Sequence, residues 1–398
     1  MDLSNRIKNM QFSPIRKLSS YADEARERGI NIIGLNIGQP DIPTPGIFFE
    51  ALNNFASNVL EYSDSRGIEP LRKSMSEYYT RLGYDINASD ILITNGGSEA
   101  LLFTLLSICD IDDEVIIPEP FYTNYNSFSD IASVKVVPFK TLAEEGFKLP
   151  KAEDIEMLLT PKTKALLISN PGNPTGAVYN REDLNKLVNL AIKHNLYIIS
   201  DEVYREFVYD DLTFTSLLDF PEIKDRVIII DSISKRYSAC GARIGSLITK
   251  NSDLISNALK LCQARLCCPT LEQLAAAELV NVSKDYFTEV IEEYKERRDI
   301  LYNALTSVPD IVCKRPSGAF YLIAKLPIED AEKFAVWLLE EFSRNNKTVM
   351  VAPASGFYST KGLGKDEIRL SYCVNQEELK AAAEILIEGL KEYKKHNK

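Results

Sequence analysis

The chain has 398 residues, of which 45% are apolar and 26% charged, a composition typical of a globular protein with a large buried core. Its formal charge is −11, and basic residues gather only in the last few positions, so we expect no nucleic-acid-binding surface. Seven scattered cysteines without a CxxC pair, only two histidines, no signal-peptide pattern and no long apolar run together predict a cytoplasmic protein with no disulfides, zinc or membrane span.

The first 45 residues predict one helix, one strand and an extended loop. Residues 13–28 are expected to be helical, with Ser13 as the N-cap, Pro14 at the first helical position and Gly29 as the terminator. Residues 32–38 are apolar and strand-like. A proline-rich loop follows them.

The middle of the chain repeats one pattern, in which a short apolar strand leads to a polar or Gly/Pro-rich turn and then to a helical segment. The predicted strands are residues 91–94, 114–117, 165–168, 197–199 and 227–230. This alternation predicts an α/β fold with a mostly parallel sheet flanked by helices. Because open sheets of this kind bind ligands at the carboxyl ends of their strands, we expect one site there.

Beyond residue 285 the pattern changes to two long helices and fewer, more widely spaced strands. The predicted elements are helices 286–305 and 376–393 and strands 320–324, 349–352 and 368–374. We therefore expect a smaller α+β domain that the N-terminal segment completes. The predicted division is an N-terminal segment at 1–45, a large domain at 46–295 and a small domain at 296–398.

Two loops of the central region carry specific chemistry. The turn from Asn95 to Ser98 has two glycines and opens a helix, so its backbone can approach a ligand closely and its free N–H groups favour an anion. A plain tight turn would look the same. The segment Asn170-Pro171-Gly172-Asn173-Pro174-Thr175-Gly176 is more specific, because its breakers form a rigid loop that can direct Asn173 at a ligand oxygen.

Two charged residues follow strands in the same region. Lys235 comes just after the strand at 227–230, where partial burial would disfavour its ammonium and leave an amine able to form a Schiff base. Asp201 ends another apolar strand and is either one half of a salt bridge or the partner of a ligand cation. Taken alone, a lysine after a strand is more often a solvated side chain, and only the other parts of the site change this interpretation.

Six motifs occur together in one order along the chain: GGSEAL, PEPFY, NPGNPTG, DEVY, SxSKxxxxxGxRxG and IRLSY. In this order they resemble the class I and II aminotransferases, which are fold type I enzymes that depend on pyridoxal 5′-phosphate (PLP). The resemblance covers almost the whole chain. It implies a large PLP-binding domain and a smaller C-terminal domain.

The resemblance assigns the catalytic and ring-binding roles to five residues. Lys235 would form the Schiff base with PLP and move a proton, and Asp201 would pair with the pyridinium nitrogen. Asn173 and Tyr204 would hydrogen-bond the ring oxygen, and Tyr122 would stack on the ring.

Phosphate, substrate and subunit contacts are assigned in the same way. The residues implied for the phosphate are Gly97, Ser98, Ser232, Ser234 and Arg243. Tyr62 would reach the phosphate of a neighbouring subunit, which implies a homodimer. Gly38, Asn173 and Arg369 would bind the substrate, with the planar guanidinium of Arg369 on its α-carboxylate.

The implied activity is a ping-pong transfer of the amino group of an L-amino acid to a 2-oxo acid such as 2-oxoglutarate. Aspartate or an aromatic amino acid is the expected donor. Arg16 is a candidate for binding a distal carboxylate, although a solvated helix face is the favoured interpretation. A carbon–sulfur β-lyase with the same lysine, and a non-catalytic sensor of PLP and amino acids, are the alternative functions.

Overall fold

The computed structural model describes residues 1–396 and, within them, twelve strands and fourteen α-helices. The strands are β1 (Asn31–Gly34), β2 (Ile91–Thr94), β3 (Glu114–Glu119), β4 (Lys135–Lys140), β5 (Thr163–Ser169), β6 (Tyr197–Asp201), β7 (Val227–Ser232), β8 (Gly245–Ile248), β9 (Tyr321–Lys325), β10 (Lys347–Met350), β11 (Ala352–Pro353) and β12 (Glu367–Ser371). The helices are α1 (Asn5–Asn9), α2 (Ser19–Glu27), α3 (Gly46–Asn53), α4 (Glu69–Arg81), α5 (Gly96–Ile108), α6 (Asn124–Ala132), α7 (Ala152–Glu156), α8 (Arg181–His194), α9 (Ile233–Arg236), α10 (Ser252–Arg265), α11 (Thr270–Ala277), α12 (Lys284–Thr306), α13 (Ala331–Glu340) and α14 (Gln376–His396).

Seven strands form the central sheet in the order β2-β8-β7-β6-β5-β3-β4. All neighbours run parallel except β8, which is antiparallel to both β2 and β7. The predicted α/β fold with a mostly parallel mixed sheet is therefore confirmed. Two of these strands were not predicted. β4 is a partly exposed edge strand that contains a proline, and β8 is a four-residue strand that begins at a glycine, so neither carries a strong apolar pattern.

Alternate residues of the central strands pack on opposite faces of the sheet. In β7, Val227 and Ile229 join the apolar core on one face, whereas Ile228 and Ile230 join the core on the other. β5 divides in the same way, with Leu166 and Ile168 on one face and Ala165 and Leu167 on the other. Helices cover both faces, which explains why these strands are continuous apolar runs.

The C-terminal region forms a separate apolar core together with the N-terminal residues. Strand β1 pairs in parallel with β10, while β9, β12 and β11 form an antiparallel sheet. Leu18 and Ala22 of the N-terminal region pack in the same core as Phe334 and Leu386. The domain limits at residues 45 and 295 remain predictions, and residues 397 and 398 of the predicted small domain lie outside the described residues.

The first predicted helix is corrected by the structure. It begins at Ser19 instead of Ser13, and Ser13 caps no helix, because residues 14–18 form successive turns. The Ile15 carbonyl accepts a 3.0 Å hydrogen bond from the Asn36 amide. Pro14 packs directly against Gly356. Tertiary contacts thus override a local capping signal.

The strand predicted at residues 32–38 is also shorter than expected and ends at Gly34. The carbonyls of Asn36 and Ile37, which could have extended it, accept hydrogen bonds from the side chains of Arg369 and Ser371. In the part of the chain described, no helix has both the length and the apolar character needed to cross a bilayer.

Candidate active site

A cleft of about 540 Å³ opens at the carboxyl ends of the parallel strands. Twelve of the thirteen site residues expected from the sequence line it: Gly38, Gly97, Ser98, Tyr122, Asn173, Asp201, Tyr204, Ser232, Ser234, Lys235, Arg243 and Arg369. The cleft lies where the strand order of an open α/β sheet predicts a ligand site. Residues that are distant in sequence therefore meet in one place.

Lys235 lies on the short helix α9, directly after strand β7. Ser232 begins this helix, and its hydroxyl accepts a hydrogen bond from the Ser234 amide at 3.1 Å. The Lys235 amine donates a 2.8 Å hydrogen bond to the Gly38 carbonyl and lies 3.6 Å from the Cys240 sulfur. The lysine is therefore held in the cleft by two specific contacts, and the reading of a freely solvated side chain does not apply.

The charge state of Lys235 differs from the sequence-based expectation. Burial lowers the pKa of its amine, but the nearby Tyr321 hydroxyl and Cys240 thiol raise it, and the net direction is upward. Burial disfavours the ammonium as expected, but the net direction of the Lys235 pKa is upward because neighbouring groups act against burial. A group that reacts with this amine has to displace a proton first.

A buried ion pair stabilises the backbone on both sides of Lys235. Arg236, the residue after Lys235, binds both carboxylate oxygens of Asp231 at 2.6 and 2.7 Å. The Tyr79 hydroxyl donates a 3.0 Å hydrogen bond to the same carboxylate. Since Asp231 and Arg236 flank the turn from β7 into α9, this pair fixes the backbone that carries Lys235.

Asp201 ends strand β6 as a buried carboxylate that forms no salt bridge with any of residues 1–396. It accepts a 2.7 Å hydrogen bond from the Tyr125 hydroxyl and a weaker one from the Val203 amide. Burial raises its pKa to about 6, and the hydrogen bond from Tyr125 acts in the opposite direction. Of the two readings from the sequence, the structural salt bridge is not found, and a partner for a ligand cation fits the geometry.

Asn173 and Tyr204 bring further polar groups into the cleft. Asn173 is buried, and its side-chain oxygen has no hydrogen-bond partner among the described residues. The Tyr204 hydroxyl lies 2.8 Å from the Tyr321 hydroxyl. A buried amide oxygen without a donor is costly, which indicates that a ligand satisfies it.

The start of helix α5 and Arg243 form a positively polarised corner. Gly96 adopts a positive φ of 76°, and a Cβ at this position would lie 2.2 Å from the Arg243 guanidinium, so any other residue would be strained and would displace the guanidinium. The guanidinium donates to the carbonyls of Cys240 and Asn95 and has no carboxylate partner in the described chain. A helix N-terminus beside an unpaired cation is suited to an anion.

Arg369 is almost fully buried in strand β12. Its Nε has no hydrogen-bond partner in residues 1–396, while one terminal nitrogen donates to the Asn36 carbonyl. The guanidinium lies 4.7 Å from the centre of the Tyr321 ring and 4.9 Å from that of Phe357. Burial lowers its pKa, and a bound carboxylate would offset this cost.

Tyr62 is the one predicted residue that the structure does not bring into the cleft. Its side chain is 82% exposed, so within one chain it has no role in the site. Arg16, the weaker candidate, does line the cleft, and its exposed guanidinium makes no contact with a carboxylate of the described chain. The helix face on which we expected Arg16 does not exist, because residues 14–18 form turns.

Sequence reasoning missed several cleft residues, and three of them contact predicted site residues directly: Tyr125, Cys240 and Tyr321. Tyr125 follows Phe121 by four residues and stacks on it, with ring centres 5.9 Å apart. Phe121 lies before helix α6 begins, so this spacing is not a helical pair. None of the three residues has a local signal, because each is defined by contacts that the folded chain creates.

Comparison with known proteins agrees with this geometry. Residues 30–386 match the family described as aminotransferase class I and II. The chain is 36% identical to an aspartate aminotransferase of Thermotoga maritima over 384 residues, which are 96% of this chain and 97% of that protein. It is 32% identical to an aspartate aminotransferase of Bacillus sp. strain YM-2, covering 96% and 97%.

Solved structures show the same likeness. An aspartate aminotransferase of Thermus thermophilus, a single mutant, superposes with a TM-score of 0.89 at 31% identity, covering 98% of this chain and all of that one. An alanine aminotransferase from Pyrococcus furiosus also gives 0.89, at 30% identity and with the same coverage. Enzymes named for aspartate and for alanine thus share this fold.

Proposed function

The chain belongs to the class I and II aminotransferase family and is a transaminase, and from this premise we propose PLP as its cofactor and L-aspartate as its amino donor. The acceptor is a 2-oxo acid such as 2-oxoglutarate. The relatives named aspartate aminotransferase support this donor. An aromatic donor is the other substrate class that we test.

The observation that carries the proposal is a set of polar and charged groups that converge in one cleft, each of which matches one part of PLP. The helix start with Arg243 suits the phosphate, and the buried carboxylate of Asp201 suits a protonated ring nitrogen. The side-chain NH2 group of Asn173 and the hydroxyl of Tyr204 can each donate a hydrogen bond to the ring oxygen. The amine of Lys235 suits the carbonyl carbon.

The serine hydroxyls complete the phosphate corner. Ser232 and Ser234 lie with their Oγ atoms 2.9 Å apart, and both line the cleft with Gly97 and Ser98. Hydroxyl groups rotate to donate to an oxyanion, and backbone N–H groups at a helix start do the same. These residues would hold the phosphate and so orient the rest of the cofactor.

The roles of the charged residues follow from their chemistry. When bound, PLP supplies a ring that withdraws electrons from the substrate α-carbon. Asp201 would keep the ring nitrogen protonated, because its buried carboxylate gains a cationic partner. Lys235 would move the proton between the substrate α-carbon and the cofactor. Arg369 would bind the α-carboxylate with two parallel hydrogen bonds.

The proposal also concerns assembly and location. Tyr62 is exposed on a single chain, which supports a homodimer in which it reaches the partner's site. Its neighbours Val59 and Leu60 are also exposed, and a second copy would cover these apolar side chains. All seven cysteines carry free thiols, which supports a reducing compartment such as the cytoplasm.

The test is a half-reaction without an acceptor. The protein is loaded with PLP and mixed with single L-amino acids, and the visible absorbance is followed as the cofactor converts to its amine form. We expect aspartate to drive the conversion and Lys235→Ala to abolish it. Lys224→Ala, which removes an exposed lysine, is the matched control and should behave as the unmodified protein. Pyruvate release from a thioether amino acid, without amine-form cofactor, would overturn the proposal in favour of a β-lyase.

A further inference from the structure

Tyr321 lies outside every motif found in the sequence, yet it contacts several residues of the cleft. It is the first residue of strand β9, and only 2% of its surface is exposed. Its hydroxyl lies 2.8 Å from that of Tyr204. A Cβ on Gly38 would lie 1.9 Å from the Tyr321 hydroxyl oxygen, so the ring packs directly on the backbone of residue 38.

Strand register places Tyr321 beside Arg369. In the antiparallel pair of β9 and β12, Arg369 lies opposite Ile323, which is two residues from Tyr321. Residues two apart on a strand share a face, so Tyr321 is the diagonal neighbour of Arg369. The Arg369 guanidinium accordingly stacks over the Tyr321 ring.

The stacked ring constrains the buried guanidinium. Arg369 has one hydrogen-bonded terminal nitrogen and a free Nε, so polar contacts alone leave its plane poorly defined. The rings of Tyr321 and Phe357 supply the missing constraint through cation–π contact. A planar guanidinium held in this way is prepared to bind a carboxylate with two hydrogen bonds.

The hydroxyl of Tyr321 acts on a different group. Burial raises its pKa, so it keeps its proton at neutral pH. Either hydroxyl of the Tyr204–Tyr321 pair can be the donor in the chain as it stands. If Tyr204 donates to an anionic oxygen in the cleft, Tyr321 has to donate to Tyr204, and hydrogen bonds in such a chain strengthen one another.

We propose that Tyr321 is a positioning residue with two separable functions, its ring orienting Arg369 for the substrate carboxylate and its hydroxyl orienting Tyr204 for the cofactor ring oxygen. This inference rests on the proposed function. One side chain would thus connect the arginine that binds the substrate with the tyrosine that binds the cofactor ring.

Two substitutions separate the functions. Tyr321→Phe keeps the ring and removes the hydroxyl, so the ring oxygen of bound PLP becomes a stronger base. The pH midpoint of the cofactor's visible absorbance should therefore rise by several tenths of a pH unit or more, while the affinity for maleate, a non-reactive dicarboxylate, changes less than about twofold. Tyr321→Leu removes the ring as well, and the maleate affinity should fall about fivefold or more.

Tyr294→Phe is the matched control, because it removes a buried hydroxyl that has no hydrogen-bond partner among residues 1–396 and lies outside the cleft lining. It should change neither the midpoint nor the affinity. An unchanged midpoint in Tyr321→Phe would overturn the inference even if the leucine variant failed to fold. Absence of any PLP absorbance in the unmodified protein would instead contradict the proposed function, so the two failures are distinguishable.

Discussion

At the scale of single residues, the site is recognisable by charges and polar atoms that the chain does not satisfy by itself. Within the described residues, Asp201 is a buried carboxylate that forms no salt bridge, and Arg369 is a buried guanidinium whose Nε has no hydrogen-bond partner. Each lowers the stability of the folded chain and is useful only if a ligand of the opposite charge binds. Motifs in the sequence singled out both residues. The structure adds that neither forms an ion pair with any of residues 1–396.

The first residue-scale prediction concerns the stability of the cofactor-free protein. The pKa of the Asp201 carboxyl is raised from 3.8 to about 6 by burial. The folded state therefore binds the proton more tightly than the unfolded chain, and the wild type loses stability as pH rises from 4 through 6. Asp201→Asn carries no such charge, so its stability relative to wild type should grow by about 2 kcal/mol between pH 4 and pH 8.

Urea unfolding of both cofactor-free proteins across this pH range measures the difference. The asparagine oxygen can still accept the hydrogen bond from Tyr125, so packing and hydrogen bonding are largely preserved. Asp225→Asn, at an exposed position, is the control and should show no growth with pH. A stability difference that stays constant from pH 4 to pH 8 for Asp201→Asn would contradict the assignment of a raised pKa.

At the scale of elements, the cleft depends on how closely strand β8 approaches the start of helix α5. Gly245, the first residue of β8, pairs with Thr94 of β2 on one side and with Ser232 of β7 on the other. A Cβ on Gly245 would lie 2.4 Å from the carbonyl carbon of Gly96 and 2.5 Å from the amide nitrogen of Gly97. These are backbone atoms, so no side chain can move to make room.

Gly245→Ala should therefore push the start of α5 away from the sheet. We expect a loss of about 1–3 kcal/mol in the free energy of unfolding, as for other overpacked sites, together with weaker PLP binding. Gly241→Ala is a matched control four residues earlier, because a Cβ at that glycine meets no atom within 4 Å. Chemical denaturation and PLP titration test both variants, and equal behaviour of the two would show that the close approach does not matter.

At the scale of the whole molecule, the cleft lies between the central sheet and the C-terminal core. Lys235 and Asp201 come from the ends of sheet strands, whereas Arg369 and Tyr321 come from the antiparallel strands of the other core. Gly38 follows β1, which pairs with β10 of that second core. The site therefore requires both cores to fold and pack together.

The prediction at this scale concerns the dimer. If Tyr62 completes the partner's site, a hybrid of one Lys235→Ala subunit and one Tyr62→Ala subunit contains one intact site and one site with both defects. Co-refolded mixtures should therefore have more activity per subunit than the mean of the two parents, and sedimentation should show a dimer. Activity no higher than that mean would place Tyr62 outside the site. A Phe12→Ala subunit in place of Tyr62→Ala is the control for mixing, since Phe12 is exposed but not implied in the site.

The sequence by itself determined five of the seven strands of the central sheet, the family and twelve residues of the cleft. Continuous β-branched strands such as Val227 to Ile230 and rigid Gly/Pro turns are local signals, and they are read correctly without tertiary information. Tertiary structure alone decided the turns at residues 14–18, the charge state of Lys235 and the position of Tyr321. Each of these depends on groups far away in sequence, and hydrogen bonding, desolvation and stacking act only between atoms that folding has brought together.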